Sequence, residues 1–202
     1  MKMSNAALTG VAAFVLAGAA SADYTGASIV NLGDLGGGAN TYQVIATFDA
    51  PDDQLLAVGG LPGVAPLVFS ATSPLVNSAP GLDGLQLEDL PSVTATAWDS
   101  WLTVAGPGFV GNDTAFSPGF AGGDGIVSVV NGMSFSEVDG GYFDQNPGSV
   151  TGGVGPQVIA QFTTAGDFTY SGVVNWTDDT LPGGEFFSTV FSVTTVPAPG
   201  AL

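Results

Sequence analysis

The sequence predicts an all-β fold, an antiparallel β-sandwich, on three observations. Apolar residues recur with a period of two in several stretches, and no stretch beyond residue 22 sustains helical spacing. Most of the 31 glycines and 13 prolines fall between those stretches, as turn residues do. One large domain suits this length, because about 180 residues can bury roughly 70% of their unfolded surface around a single core.

The chain opens with Lys2, an apolar run over residues 6–19 and the small residues Ala20, Ser21 and Ala22 before Asp23. That run is too short for the roughly 20 residues a bilayer requires, and small residues follow it as at a cleavage site. Residues 1–22 are therefore expected to be a signal peptide, and residues 23–196 the β-sandwich domain. In 42–48, Tyr42, Val44, Ala46 and Phe48 share one strand face. Further strands are expected at 55–58, 64–70, 93–104, 126–130, 133–138 and 157–163. Farther along, Phe168, Tyr170, Val174 and Trp176 line one side, with Thr169, Ser171, Asn175 and Thr177 on the other. Gly172 interrupts the apolar side, as a bulge would. Residues 185–196 are apolar on both faces, which predicts a central strand covered on both sides. Residues 33–40, 106–125 and 139–155 read as long glycine-rich loops at the sheet ends. Nine to eleven short strands of this kind allow a jelly-roll-like order, and no internal repeat points to a solenoid or propeller.

Charge narrows the chemistry. After Lys2 there is no lysine, arginine, histidine or cysteine, while fifteen aspartates and three glutamates all lie beyond residue 22. Triads that need a histidine base, thiol chemistry, structural zinc and cationic cradles for phosphate all lack their residues. Loss of Lys2 with the signal peptide takes the formal charge from −17 to −18. Nucleic acid and anionic membrane surfaces are disfavoured partners for such a surface. Export without cysteine leaves stability to the core. Acidic and glycine-rich borders are expected to discourage free pairing of strand edges between copies.

Three acid-rich stretches carry candidate cation ligands: Asp113 and Asp124 with Asn112; Asp139 and Asp144 with Asn146; Asp178 and Asp179 with Glu185. Carboxylates and amides on flexible loops suit calcium, which takes six to eight oxygens. No EF-hand or nonapeptide repeat is present, and solvated acidic loops are the plain alternative. Trp98 and Trp101 fall on opposite faces of a strand, so one can anchor the core while the other stacks on a sugar; alternatively both are covered. Phe109, Phe116 and Phe120 are expected to pin their glycine-rich loop to the sandwich. Glu88, Glu137 and Glu185 are the scarce glutamates for carboxylate-dependent glycoside hydrolysis, but their spacing fixes no separation. The expectation is a protein without catalytic activity. The sequons at Asn112 and Asn175 are formal matches only.

Three stretches carry a resemblance: TYQVIATFDAPDDQLLAV, WDSWLTVAG and GPQVIAQFTTAGDFTYSGVVNW. They are similar to recurring elements of a group of secreted bacterial proteins with a PEP-CTERM type sorting tail. Val196-Pro197-Ala198-Pro199-Gly200 resembles the Val-Pro-Glu-Pro opening of that tail. Ala198 stands where the family has glutamate, and the family's apolar helix and arginine cluster do not follow. Either the sequence stops where that helix begins, or residues 197–202 are a proline-rich tail. The resemblance implies export in an exopolysaccharide-producing Gram-negative bacterium, with sorting and signal-processing machinery as partners during export. The expected function is a structural or adhesive protein of the cell surface or extracellular matrix. A carbohydrate-binding module, calcium-assisted or not, is the alternative, with extracellular polysaccharide as partner.

Overall fold

A computed structural model describes residues 24–50, 53–76, 86–88, 97–104, 114–118, 120, 126–128, 132–145, 155–178 and 185–195. The expected signal peptide, the proline-rich tail, Asp113, Asp124, Asp179, Asn112, Asn146 and Phe109 lie outside these residues. The described chain is a β-sandwich of thirteen strands: β1 (Tyr24–Asp34), β2 (Asn40–Phe48), β3 (Asp53–Gly60), β4 (Leu67–Ala71), β5 (Gln86–Glu88), β6 (Trp101–Leu102), β7 (Thr114–Phe116), β8 (Ile126–Ser128), β9 (Ser134–Glu137), β10 (Gly140–Asp144), β11 (Gly155–Thr164), β12 (Phe168–Asp178) and β13 (Glu185–Thr194). Among the described residues no helix is long and apolar enough to cross a membrane.

The first sheet has the order β1-β2-β11-β6-β5-β8. Its pairs are antiparallel except for β5 and β6, which meet in parallel at Glu88 and Trp101. In the second sheet β12 pairs along one side with β13. Along its other side it pairs with β3 over residues 173–178 and with β4 over residues 168–171. β3 and β4 therefore lie end to end as one long strand, interrupted by an excursion at residues 61–66 that a Leu61–Ala65 bridge closes. β10 and β9 repeat the device beside them, pairing β3 and β4 respectively around the excursion Val138–Asp139. Among the described residues the sheet is thus five positions wide, with β7 beyond β10.

Alternation explains the core. Val44, Ala46 and Phe48 from β2 and Phe168, Tyr170, Val174 and Trp176 from β12 are buried as their period of two predicts. Their rings interlock across the two sheets: Phe69 lies 4.5 Å from Phe162 and 5.7 Å from Phe168, and Phe162 lies 5.1 Å from Tyr170. Each well-placed aromatic pair adds about 0.5–1.5 kcal/mol to its burial. A hydroxyl chain crosses the same region. The Tyr142 hydroxyl donates to the Ile159 carbonyl at 2.7 Å, so its contact with Tyr170 at 2.8 Å must be donated by Tyr170. Ile159 falls at the register shift of β11 against β2, and its carbonyl also accepts from Thr103 N at 3.2 Å. A bulge in one sheet thereby presents an acceptor to the other. Burial pushes both phenols well above their ordinary value of 10.

Several expectations need correction. β13 is not central: it pairs with β12 alone among the described residues, and the apolar Phe186 and Val190 of its outer row are 79% and 53% exposed. Gly172 marks no bulge, since β12 runs in unbroken register with β13 through it; a side chain there would strike Leu67 at 2.6 Å and the Gly59 carbonyl at 3.0 Å. The shift in β12 falls between Asn175 and Trp176. The expected strand over 93–104 reduces, among described residues, to Trp101–Leu102 after a turn at residues 97–98. Two expected loops contain strands, β7 and β10. β10 was hidden by Gly140-Gly141, where a Gly141 side chain would collide with the Val58 carbonyl. Phe116 and Phe120 do pin their segment, at 6.1 Å from Tyr142 and 5.7 Å from Phe135.

Candidate functional site at the open flank

Of the predicted acids, Asp139, Asp144, Asp178 and Glu185 lie among the described residues, and Asp139 and Asp144 do not come together. Asp139 precedes β10 and Asp144 ends it, five residues or roughly 16 Å apart along an extended strand. Asp144 is buried opposite Thr114, and Asp139 is exposed. The Asp139 backbone N–H donates to the Glu137 carboxylate at 3.2 Å. Asp178 does meet acids: in the sheet it faces Glu185 on β13 and Asp53 on β3. Asp53 and Asp178 are both 0% exposed, and Asp53 also accepts from the Ala50 N–H at 3.3 Å. Among the described residues no group of three acids is placed to hold a metal ion.

The glutamates are spread out as well. Glu88 lies in the first sheet, Glu137 faces Leu67, and Glu185 faces Asp178. Leu67 stands level with Gly172, so Glu137 and Glu185 are six residues, or roughly 20 Å, apart along β12. Glycosidase carboxylates work about 5–9.5 Å apart. The Glu137 carboxylate also accepts from Val138 N at 3.0 Å, which ties it to its own turn.

Trp101 is 4% exposed and presents no ring face for a sugar. Trp98 is half-buried against the turn between β1 and β2, where a side chain on Gly37 would come within 3.0 Å of the indole. Its segment is fastened by Gln161, whose amide donates to the carbonyls of Ala97 at 3.1 Å and Asp99 at 2.7 Å.

The notable opening lies elsewhere. β1 and β13 border the same flank from opposite sheets and pack against each other, and between them is a groove of about 880 Å³. Ala27, Ser28, Ile29 and Asn31 of β1, Asn40 and Tyr42 of β2, Thr72 and Ser73 after β4, the β11–β12 turn at 165–167 and residues 193–195 line it. That turn packs onto Thr72 because Gly166 has no side chain; one there would strike the Thr72 hydroxyl and lie 2.8 Å from Ser73 N. Asp167 N donates to Thr72 Oγ1 at 2.9 Å and Thr72 N to the Asp167 carbonyl at 2.8 Å.

Five polar side chains in the groove keep hydrogen-bonding capacity, counted among the described residues. Ser28 and Ser73 have unengaged hydroxyls. Asn31 accepts from Gly33 N through Oδ1 at 2.8 Å, leaving its NH2. Asn40 donates to Tyr42 Oη at 3.4 Å, leaving its carbonyl. Asp167 accepts from Thr195 Oγ1 through Oδ1 at 3.3 Å, leaving Oδ2. The half-buried Tyr42 ring packs edge-on against Phe168 at 5.4 Å. Donors and acceptors with an aromatic residue in one groove, in a volume within the roughly 300–1,000 Å³ of small-ligand sites, suit a polyhydroxyl ligand. With one carboxylate among the described residues that line it and no base beyond Lys2 in the chain, the groove repels anions. None of these side chains was singled out in the sequence, because small polar residues from four separate stretches leave no motif. No protein-family model, curated protein or solved structure matches the chain.

Proposed function

We propose that this chain is an exported, non-enzymatic adhesive protein of the cell surface or extracellular matrix, which holds neutral polysaccharide in the groove between β1 and β13. The observation that carries this is the groove itself: hydroxyl, amide and carboxylate groups with unused capacity, gathered between two packed sheets. Each neutral hydrogen bond contributes about 0.5–1.5 kcal/mol net, so one groove binds weakly and retention on a polymer comes from repeated engagement. The leader-like first 22 residues and the acidic composition support a place outside the cytoplasm. Calcium is the cation that the acid-rich loops would take, as an aid to this binding and not as a catalyst.

Native electrophoresis through gels cast with neutral glucan, mannan or galactan, with and without calcium, tests the binding. At least one neutral polymer should retard the full-length chain while anionic alginate does not. Ser28→Trp, at an exposed position that fills the groove, should remove the retardation and leave the circular dichroism spectrum unchanged. Free migration in every neutral gel would overturn the glycan assignment, and recovery of uncleaved chain from the cytoplasm would overturn export.

A further inference from the structure

Among the described residues, the two strands that end the sheets on this flank are built differently. β1 is broken by register shifts between Tyr24 and Gly26 and between Asn31 and Gly33, and those glycines sit at φ of 140° and 79°. Bulges of this kind stop an edge from accepting another strand. β13 has none: its ten residues pair with ten consecutive residues of β12 without a shift. It contains no proline, and its one charge, Glu185, stands at its first position. Phe187, Phe191 and Val193 hold it inward against the core. Its outer row, Phe186, Ser188, Val190, Ser192 and Thr194, is exposed. β1 packs beside β13 from the other sheet without a ladder between them.

We infer that β13 is the docking edge for a second copy of this chain, joined antiparallel so that the five-position sheet continues across a two-fold axis. Charge selects the occupant. With eighteen acids and one base, two copies repel wherever acids meet, and residues 186–194 form an acid-free stretch along an unbroken edge. The stretch is also self-complementary. A two-fold axis at Val190 sets Val190 against Val190, Ser188 against Ser192 and Phe186 against Thr194. Glu185 then faces Thr195, so no acid opposes an acid, and inward side chains stay inward on both strands. Strand addition supplies main-chain hydrogen bonds and needs no cationic side chain. This dimer stands independently of the glycan assignment.

Sedimentation velocity of the full-length chain over a concentration series tests it. A monomer–dimer equilibrium that tightens with sodium chloride is expected, because salt screens the remaining repulsion. Val190→Asp and Val190→Lys each place like charges on the axis, and each should weaken self-association about a hundredfold. Mixing the two variants should restore the dimer, since aspartate then faces lysine. Val30→Lys on β1 should leave the equilibrium unchanged. Thermal melts check folding, which an exposed position such as Val190 should tolerate. A wild type that stays monomeric at millimolar concentration, a Val190→Asp chain that still dimerises, or folded variants that fail to pair on mixing would each overturn the inference.

Discussion

The two sheets meet at the centre and at the β1–β13 flank, and tyrosine does opposite things in the two places. At the centre Tyr142 and Tyr170 are fully enclosed, and both hydroxyls are engaged in a chain ending on the Ile159 carbonyl. At the flank Tyr42 is half-buried, and its hydroxyl has one long contact of 3.4 Å from Asn40. The same chemistry becomes structure where its hydrogen bonds close within the protein, and a binding surface where they stay open. In a chain with one base, hydroxyls and amides take on the polar work that ion pairs do elsewhere.

Removing an apolar anchor gives the sharpest contrast. Phe69→Ala, beneath three aromatic neighbours, should cost about 3–5 kcal/mol in urea unfolding. Ile29→Ala, half-buried at the flank, should cost clearly less. Equal losses would erase the distinction between a closed centre and an open flank.

The hydroxyls come next. Tyr142→Phe removes the acceptor of Tyr170 and one of the two donors to the Ile159 carbonyl, and should cost about 1–3 kcal/mol. Tyr170→Phe leaves the bond from Tyr142 to Ile159 intact and should cost about 0.5–1.5 kcal/mol. Tyr42→Phe should be nearly silent. If Tyr170→Phe proves costlier than Tyr142→Phe in chemical denaturation, the direction of the proton chain is wrong.

Alkaline titration follows. Burial raises the Tyr142 and Tyr170 phenols well above 10 and that of Tyr24 to about 12. Ionising them in the fold is harder than in the unfolded chain, so the stability they lend is complete below pH 10 and drains away as pH rises through the folded values. The loss approaches about 1.4 kcal/mol per pH unit for each phenol. Tyr142→Phe should flatten the fall between pH 10 and 12 by one such share.

Salt gives the smallest effect. Sodium chloride should raise the melting temperature by a few degrees, roughly, because acids without basic partners repel one another across the surface. A calcium chloride rise that exceeds it at matched ionic strength would place a cation in the acid-rich loops; equal rises would leave screening alone.

Alternation made the centre legible in the sequence. Tyr42 to Phe48 and Phe168 to Trp176 read as strands because large apolar residues recur at every second position, apart from Gly172. β1 and β10 were not legible, since glycine, alanine, serine and asparagine carry little contrast and Gly141 is required by a steric contact 82 residues away in sequence, at Gly59. β13 misled for an instructive reason: apolar residues on both faces imply cover on both sides, whereas Phe186 and Val190 form an exposed row. The groove left no trace in the sequence because its groups come from residues as far apart as Ser28 and Thr195. Trp98 and Trp101, conspicuous in the sequence, lie against a glycine turn and in the interior.

The contrast between centre and flank is tested most directly by amide chemical-shift mapping of the full-length chain titrated with neutral gluco-, manno- and galacto-oligosaccharides. Perturbations confined to Ser28, Asn31, Asn40, Ser73 and the 165–167 turn, with Tyr142, Ile159 and Tyr170 unmoved, are the expected result. Shifts centred on any other surface, or none with any of these sugars, would contradict it.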